Sequence, residues 1–197
     1  MVCAAGQYDD DVAAAAVFGL SSAASPCVAC PVGRVQALAG QTQCVVCGAG
    51  SVTDTLNMTG GVRCTACVAG QYSAASTVAC SVCGAGSVTE VLNRTGATSC
   101  TACDVGQYSR ASTVACALCV AGRYQGARGA SSCLVCGAGS VTETLAGTGA
   151  RTCTACAVGQ YSNASTVACA VCGAGWMTHP VGAGNATACI ECAAGRY

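Results

Sequence analysis

Apolar residues recur along this chain at fixed places in short segments, and no segment between cysteine pairs has the periodicity of an amphipathic helix. One segment type reads GQYS, a variable residue and then ASTVAC, and it ends at Cys80, Cys116 and Cys169. A longer type opens with GAGSVT and carries Thr-Gly before its closing cysteine; it begins at Gly48, Gly84 and Gly137. Each type suits two short strands around a turn, because β-branched runs alternate with glycine. The pattern therefore predicts short β-hairpins.

Cysteine spacing adds a second, longer pattern. Twenty of the 21 cysteines form ten C-x-x-C pairs separated by 12, 13 or 16 residues, and the order of the spacings repeats after 89 residues. A fixed period is typical of tandem-repeat proteins in which each unit contacts mainly its neighbours. We therefore expect a partial repeat with an Ala-rich insertion over residues 1–26, one super-repeat over 27–115 and a second, incomplete one over 116–197.

Glycine stands at the third position after the second cysteine of every pair, and Gly6 follows Cys3 in the same way. Cys3 is therefore the second cysteine of an incomplete pair. The unbroken recurrence predicts a tight turn in which this glycine has a positive φ. Two residues later there is always tyrosine, valine or methionine, and all six tyrosines of the chain occupy this place. We expect each of these side chains to pack over its own disulfide, and a row of exposed tyrosines used for contacts is the alternative.

The composition argues against an ordinary globular core. Valine, leucine, isoleucine and phenylalanine make up only 33 of 197 residues, while cysteine exceeds a tenth. Cross-links would then have to replace the core, as in small exported scaffolds. Eight arginines stand singly among eight acidic residues, which argues against a nucleic-acid surface. The apolar run from Val12 to Leu20 is too short to span a bilayer.

The sequence contains no arrangement that predicts catalysis or a cofactor. Ser-His-Asp sets, paired carboxylates, phosphate-binding loops and HExxH motifs are absent, and His179 is the only histidine. We expect His179 to be a surface-loop variant, because related loops have aspartate or glutamate in its place. The chain is therefore predicted not to be an enzyme.

The C-x-x-C spacing also suits Cys₄ zinc sites, so zinc must be weighed against disulfides. The continuous array and the half-pair at Cys3 favour disulfides. Redox-active pairs lack the thioredoxin-like context that they need. The four asparagines all lie in N-x-S/T sequences, which favours export and N-glycosylation, and O-glycans on the long loops are a further expectation. The candidate sites are Asn57, Asn93, Asn163 and Asn185.

A cysteine pair, a glycine three residues later, an aromatic residue five later and a loop to the next pair together resemble the ephrin-receptor-like cysteine-rich repeat. The array is also similar to the simplest loop module of tumour-necrosis-factor receptors and to cysteine-rich surface proteins of protists. In these families the second cysteine of one pair bonds the first cysteine of the next. The resemblance implies a ladder that leaves Cys192 unpaired or free for an intermolecular bond. Its rungs are Cys3–Cys27, Cys30–Cys44, Cys47–Cys64, Cys67–Cys80, Cys83–Cys100, Cys103–Cys116, Cys119–Cys133, Cys136–Cys153, Cys156–Cys169 and Cys172–Cys189.

These observations predict a small disulfide-rich fold, mostly irregular with short β-hairpins, without a common core and extended as a tandem-repeat rod. The expected function is a structural or adhesive extracellular glycoprotein that assembles into a filament or surface coat, since exposed apolar residues with little charge associate. A ligand-binding ectodomain of a cell-surface receptor or surface antigen is one alternative, although the chain lacks the additional mid-loop cysteines of cytokine-binding modules. A Cys₄ zinc-repeat protein is the other alternative.

The first loop, between Cys3 and Cys27, is longer than its relatives and Ala-rich. Asp9, Asp10 and Asp11 precede the alanines, and acidic residues before such a run indicate a helix N-terminus. We expect residues 9–26 to dock on a preceding copy of the chain. A head-to-tail contact of this kind need not close, so it can propagate as a fibre.

Overall fold

The computed structural model describes residues 2–10, 27–182 and 184–195. Within them twenty short strands form ten two-stranded antiparallel hairpins, and each strand pairs with its neighbour in sequence. The hairpins are β1 Gln7–Asp9 with β2 Cys27–Ala29, β3 Arg34–Val35 with β4 Val45–Val46, β5 Ser51–Thr53 with β6 Cys64–Ala66, β7 Gln71–Tyr72 with β8 Ser81–Val82, β9 Ser87–Thr89 with β10 Cys100–Ala102, β11 Gln107–Tyr108 with β12 Ala117–Leu118, β13 Arg123–Tyr124 with β14 Leu134–Val135, β15 Ser140–Thr142 with β16 Cys153–Ala155, β17 Gln160–Tyr161 with β18 Ala170–Val171, and β19 Trp176–His179 with β20 Ala188–Glu191.

A tight turn precedes the first strand of each hairpin. In one such turn the Gln71 amide donates a hydrogen bond of 3.0 Å to the Val68 carbonyl. Gly70 stands at the third position of this turn with a φ of 80°. That conformation is the one a type II turn requires of its third residue, and glycine adopts it without a Cβ clash. All eleven glycines at this place have φ between 75° and 86°, so the predicted positive φ is confirmed.

The hairpin register brings successive cysteine pairs together. Gln71 lies opposite Val82 and Tyr72 lies opposite Ser81, and these two partners are the middle residues of a C-x-x-C pair. The register thus carries the first cysteine of that pair back to the second cysteine of the preceding one. Cα atoms of the ten bridged cysteine pairs lie 5.3 to 5.8 Å apart, within the usual range for disulfides.

The ten disulfides form a sequential ladder, which confirms the predicted disulfide-rich tandem-repeat fold of short hairpins. Twenty cysteine sulfurs are joined covalently, so they are not the thiolates that bind zinc. Cys192 is partly buried, and its sulfur forms no disulfide with another described residue. No helix long and apolar enough to cross a membrane occurs in the described part of the chain.

Sulfur and small side chains fill the interior of the loops. The second cysteines Cys30, Cys67 and Cys119 are at most 1% exposed, and Ala97 and Ala186 are fully buried. Most of the larger apolar side chains lie instead at the surface. Because so little apolar area is removed from water, the covalent ladder has to supply much of the stability that a core supplies elsewhere.

The contacts divide the chain into two compact units, Met1–Cys83 with Thr89–Thr101 and Gly84–Val88 with Ala102–Tyr197. In the first unit the Ser73 amide donates to the Ala97 carbonyl of the next loop at 3.0 Å. A Cβ added to Gly50 would lie 2.1 Å from the carbonyl oxygen of Gly96, which is two loops further along. The contacts of a loop therefore reach its second neighbour as well as its first.

Two sequence predictions lie largely outside what the structure describes. The helix start at Asp9–Asp11 is described only as far as Asp10, and the Ala-rich docking segment beyond it lies outside the described residues. The two super-repeats over 27–115 and 116–197 are defined by the sequence period and stay a prediction.

Candidate functional site

A polar residue at the sixth position after the second cysteine closes each type of loop. The hydroxyl oxygen of Ser109 lies 2.8 Å from the Ala111 carbonyl oxygen and 2.6 Å from that of Val114, and Ser109 is 1% exposed. In another loop type the Gln125 side-chain amide donates to the Ser132 carbonyl at 2.9 Å. Sequence reasoning missed this position, although a polar residue follows the apolar place in every repeat. Nine of these residues are buried: Gln36, Thr53, Ser73, Thr89, Ser109, Gln125, Thr142, Ser162 and Thr178. The Thr89 hydroxyl is an exception to the closing role, since it makes no hydrogen bond within the described part of the chain.

A carboxylate closes three of the long loops one residue further on. One Asp54 oxygen accepts hydrogen bonds from the Val62 amide at 2.9 Å and the Arg63 amide at 3.3 Å. The carboxylates of Glu90 and Glu143 accept from two consecutive amides in the same way. We call these three side chains the carboxylate clamps.

Hydrogen bonds lower the pKa of each clamp. The hydrogen bond from the Thr98 amide is the main cause of the shift at Glu90, whose pKa falls from 4.5 to about 2. For Glu143 partial desolvation opposes ionisation, but hydrogen bonds from Arg151 and Thr152, just before β16, outweigh it and the pKa is again about 2. The Val62 and Arg63 amides lower the pKa of Asp54. His179 occupies the corresponding place in the fourth long loop, so that loop lacks a carboxylate clamp.

The four asparagines predicted to carry glycans are all exposed: Asn57, Asn93, Asn163 and Asn185. Exposure is what glycosylation requires of an acceptor, and the sites remain proposals. Two of them have a left-handed backbone, with φ of 53° at Asn93 and 65° at Asn185, which asparagine tolerates better than most residues. The Asn185 side-chain oxygen also accepts a hydrogen bond of 2.8 Å from the Ser140 hydroxyl.

A surface groove recurs between successive loops. One side of it is the recurring tyrosine of the first loop, and the other is the residue four places after the second cysteine of the next C-x-x-C pair. We call the two grooves of the second unit the arginine groove and the tryptophan groove. Tyr108 and Arg123 line the arginine groove, of about 240 Å³. Tyr161 and Trp176 line the tryptophan groove, of about 490 Å³. The recurring tyrosines at these places are half-buried.

The arginine groove gathers charges that are dispersed in sequence. The guanidinium carbon of Arg110 lies 5.9 Å from the Tyr108 ring centroid, within the range of cation–π contacts. Arg123 lines the same groove and donates to the Cys133 carbonyl at 3.4 Å. Arg128, by contrast, forms an ion pair of 2.7 Å with Asp104. Single arginines in the sequence thus become one local cationic groove, which spacing alone does not reveal.

Several middle residues of the C-x-x-C pairs are apolar and exposed in each of the two units. They occupy the second strand of each hairpin, and Val45, Val82, Val135 and Val171 are 63–71% exposed. Every sheet has two strands, so each of these strands is also an edge. No cluster of three or more histidine, cysteine or acidic side chains able to hold a metal ion occurs in residues 2–10, 27–182 and 184–195.

Comparison with known families finds a match. A family model described as tyrosine-protein kinase ephrin type A/B receptor-like matches residues 19–59, 106–148 and 144–189, which together are more than half of the chain. The matched segments contain six of the ten C-x-x-C pairs and seven of the eleven turn glycines described above. No curated protein matches the chain.

Proposed function

The chain belongs to the ephrin type A/B receptor-like family of cysteine-rich repeats, and from this membership we propose that it is the structural or adhesive part of an extracellular, receptor-type ectodomain. Disulfides persist in oxidising compartments, so the ladder agrees with a place outside the cell. The family is a cysteine-rich receptor module and not a catalytic one. We further propose that copies of the chain associate into a filament or surface coat.

The exposed apolar strands are the observation that supports self-association. Val45 and Val46, the two residues of one such strand, are 63% and 57% exposed, and the pattern recurs along the ladder. Charged residues are only 8% of the chain and their formal charges sum to zero, so no net electrostatic repulsion opposes contact between copies. A recurring apolar edge on a chain of low charge favours a second copy of itself as the partner.

Glycans on the four exposed asparagines belong to the same proposal. Sugars on exposed loops would hydrate the remaining surface and confine contact between copies to the uncovered strands. The docking segment over residues 9–26 would add a head-to-tail contact.

Sedimentation velocity tests the association. We expect the secreted full chain to sediment faster as its concentration rises. Replacing strand valines by threonine (V46T, V82T, V135T and V171T) should leave the hairpins folded, because threonine is also β-branched, and should make the sedimentation independent of concentration. The matched control carries the same change at exposed valines outside the strands, V78T, V114T and V167T, and should associate like the unmodified chain.

A ligand-binding receptor ectodomain is the second candidate, and the arginine groove favours it. Tyr108, Arg110 and Arg123 line a concave, positively charged surface, which suits recognition of a protein ligand. Sedimentation separates the two candidates. A chain that stays monomeric at high concentration contradicts the coat and favours the ligand-binding function.

A further inference from the structure

The tryptophan groove is lined by a glycosylation sequence. Asn163 of Asn163-Ala164-Ser165 lines it together with Tyr161 and Trp176, and so does Thr187 of the fourth N-x-S/T sequence. Asn163 is exposed, and it lies two residues after the recurring tyrosine. The acceptor asparagine and the aromatic side chains therefore share one concave surface.

The arginine groove indicates where a substituent on Asn163 would lie. Arg110 occupies the corresponding position in its own loop, seven residues after the second cysteine. Its guanidinium lies over the ring of Tyr108, two residues before it. A side chain that is extended at this position therefore reaches across the tyrosine and into the groove. A sugar attached to Asn163 has a comparable path over Tyr161.

Trp176 gives the groove a surface suited to a sugar. It is the only tryptophan of the chain, it is 47% exposed, and serine stands at its place in the other long loops. Covering a half-exposed aromatic ring with an apolar surface removes that ring from water and lowers the free energy. A pyranose ring has such a surface in its C–H groups, and its hydroxyls can remain hydrated around it. Thr187, which also lines the groove, has a hydroxyl that can hydrogen-bond to a sugar hydroxyl.

We propose that the tryptophan groove is a saccharide-binding site, occupied by the first N-acetylhexosamine of an N-linked glycan on Asn163. In the attachment step the Asn163 amide nitrogen bonds to the anomeric carbon of a lipid-diphosphate-linked oligosaccharide, the lipid diphosphate leaves, and the amide gives up one proton. The sugar then covers Trp176. This inference rests on the proposed function only in taking the chain to be exported and glycosylated.

The single tryptophan makes the site directly measurable by fluorescence. The secreted full chain is compared with N163Q and with the matched control N57Q, which removes another exposed N-x-S/T acceptor without touching the groove. We expect N163Q to raise the acrylamide quenching constant of Trp176 about twofold, because one face of the ring is uncovered. N57Q should leave the constant unchanged. Equal quenching in all three proteins overturns the proposal.

A second variant tests the groove from the other side. W176S introduces the residue that related loops carry at this position, so the loop should fold. We expect an endoglycosidase to release the Asn163 glycan several-fold faster from W176S, and the Asn57 glycan at an unchanged rate. Glycopeptide mass spectrometry distinguishes the failures. An Asn163 without a glycan overturns this proposal and weakens the glycoprotein assignment, whereas a glycan there whose release rate does not respond to W176S overturns the groove alone.

Discussion

At the scale of single residues, the glycine after each cysteine pair meets two separate requirements. Gly50 has a φ of 79°, which its turn demands. It also lies close to the Gly96 carbonyl, because a Cβ added to Gly50 would be 2.1 Å from that oxygen. The first requirement is local and can be predicted from the sequence. The second arises from a loop two repeats away, and the spacing of glycines contains no sign of it.

The glycine pair Gly48 and Gly50 allows a matched test of these two requirements. We expect G50A to lower the free energy of unfolding by more than about 1–2 kcal/mol, the cost of a left-handed non-glycine residue, because the Gly96 carbonyl must also move. At Gly48 an added Cβ would meet nothing within 4 Å, and G48A should be neutral. Guanidinium unfolding without reductant measures both. Similar midpoints for the two variants would contradict the close approach.

At the scale of the loop, the carboxylate clamps make hairpin closure depend on pH. The Glu90 carboxyl has a pKa of 4.5 when unfolded and about 2 when folded, so the folded loop binds fewer protons between these values. The contribution of the clamp to stability is therefore complete above pH 4.5 and is lost as the pH falls through about 2. Because the Glu90 side chain is exposed, solvent screens its charge, and we expect loss of this clamp to weaken only its own loop.

Amide chemical shifts give a direct measurement of the Glu90 clamp. The amides of Thr98 and Ser99 donate to its carboxylate, so we expect their shifts to titrate together with a midpoint near pH 2. E90Q removes the titrating group and should abolish this transition while the amides of the Glu143 clamp still titrate. A midpoint near 4.5 in the unmodified chain would mean that the clamp does not form.

The hairpins could be predicted from the sequence because their causes are local. The Ser-Val-Thr runs, the turn glycine and the two residues within each C-x-x-C pair all act within one loop. The polar residues that close the loops went unrecognised because Ser109 and Gln125 are ordinary surface residue types, and only burial identifies their role. The grooves went unrecognised because each combines two loops: Tyr161 comes from one and Trp176 from the next. Pairing between loops is information that a repeat period does not contain.

At the scale of the whole molecule, stability in a tandem array is expected to be divided among neighbouring loops. In the second unit the Gly129 amide donates to the Cys103 carbonyl of the preceding loop at 2.8 Å. Gly106 in turn would meet the Gly149 carbonyl oxygen at 2.2 Å if it carried a Cβ, and Gly149 lies two loops on. Each loop therefore contacts its first and second neighbours. We expect the loss of one disulfide to destabilise the loops within that distance and to leave more distant loops unchanged.

Removal of one disulfide tests this range. In C103A/C116A the lost bridge, with a sequence separation of 13, costs about 3 kcal/mol in the chain-entropy model. Hydrogen exchange should accelerate at the Cys119 amide, which bonds the Gly106 carbonyl at 2.9 Å, and stay unchanged at the Trp176 amide four loops away. C156A/C169A removes the equivalent disulfide from a loop of the same type. In that variant the Trp176 amide lies in the adjacent loop and should exchange faster. Uniform acceleration across the unit in both variants would show that the loops unfold as one cooperative body.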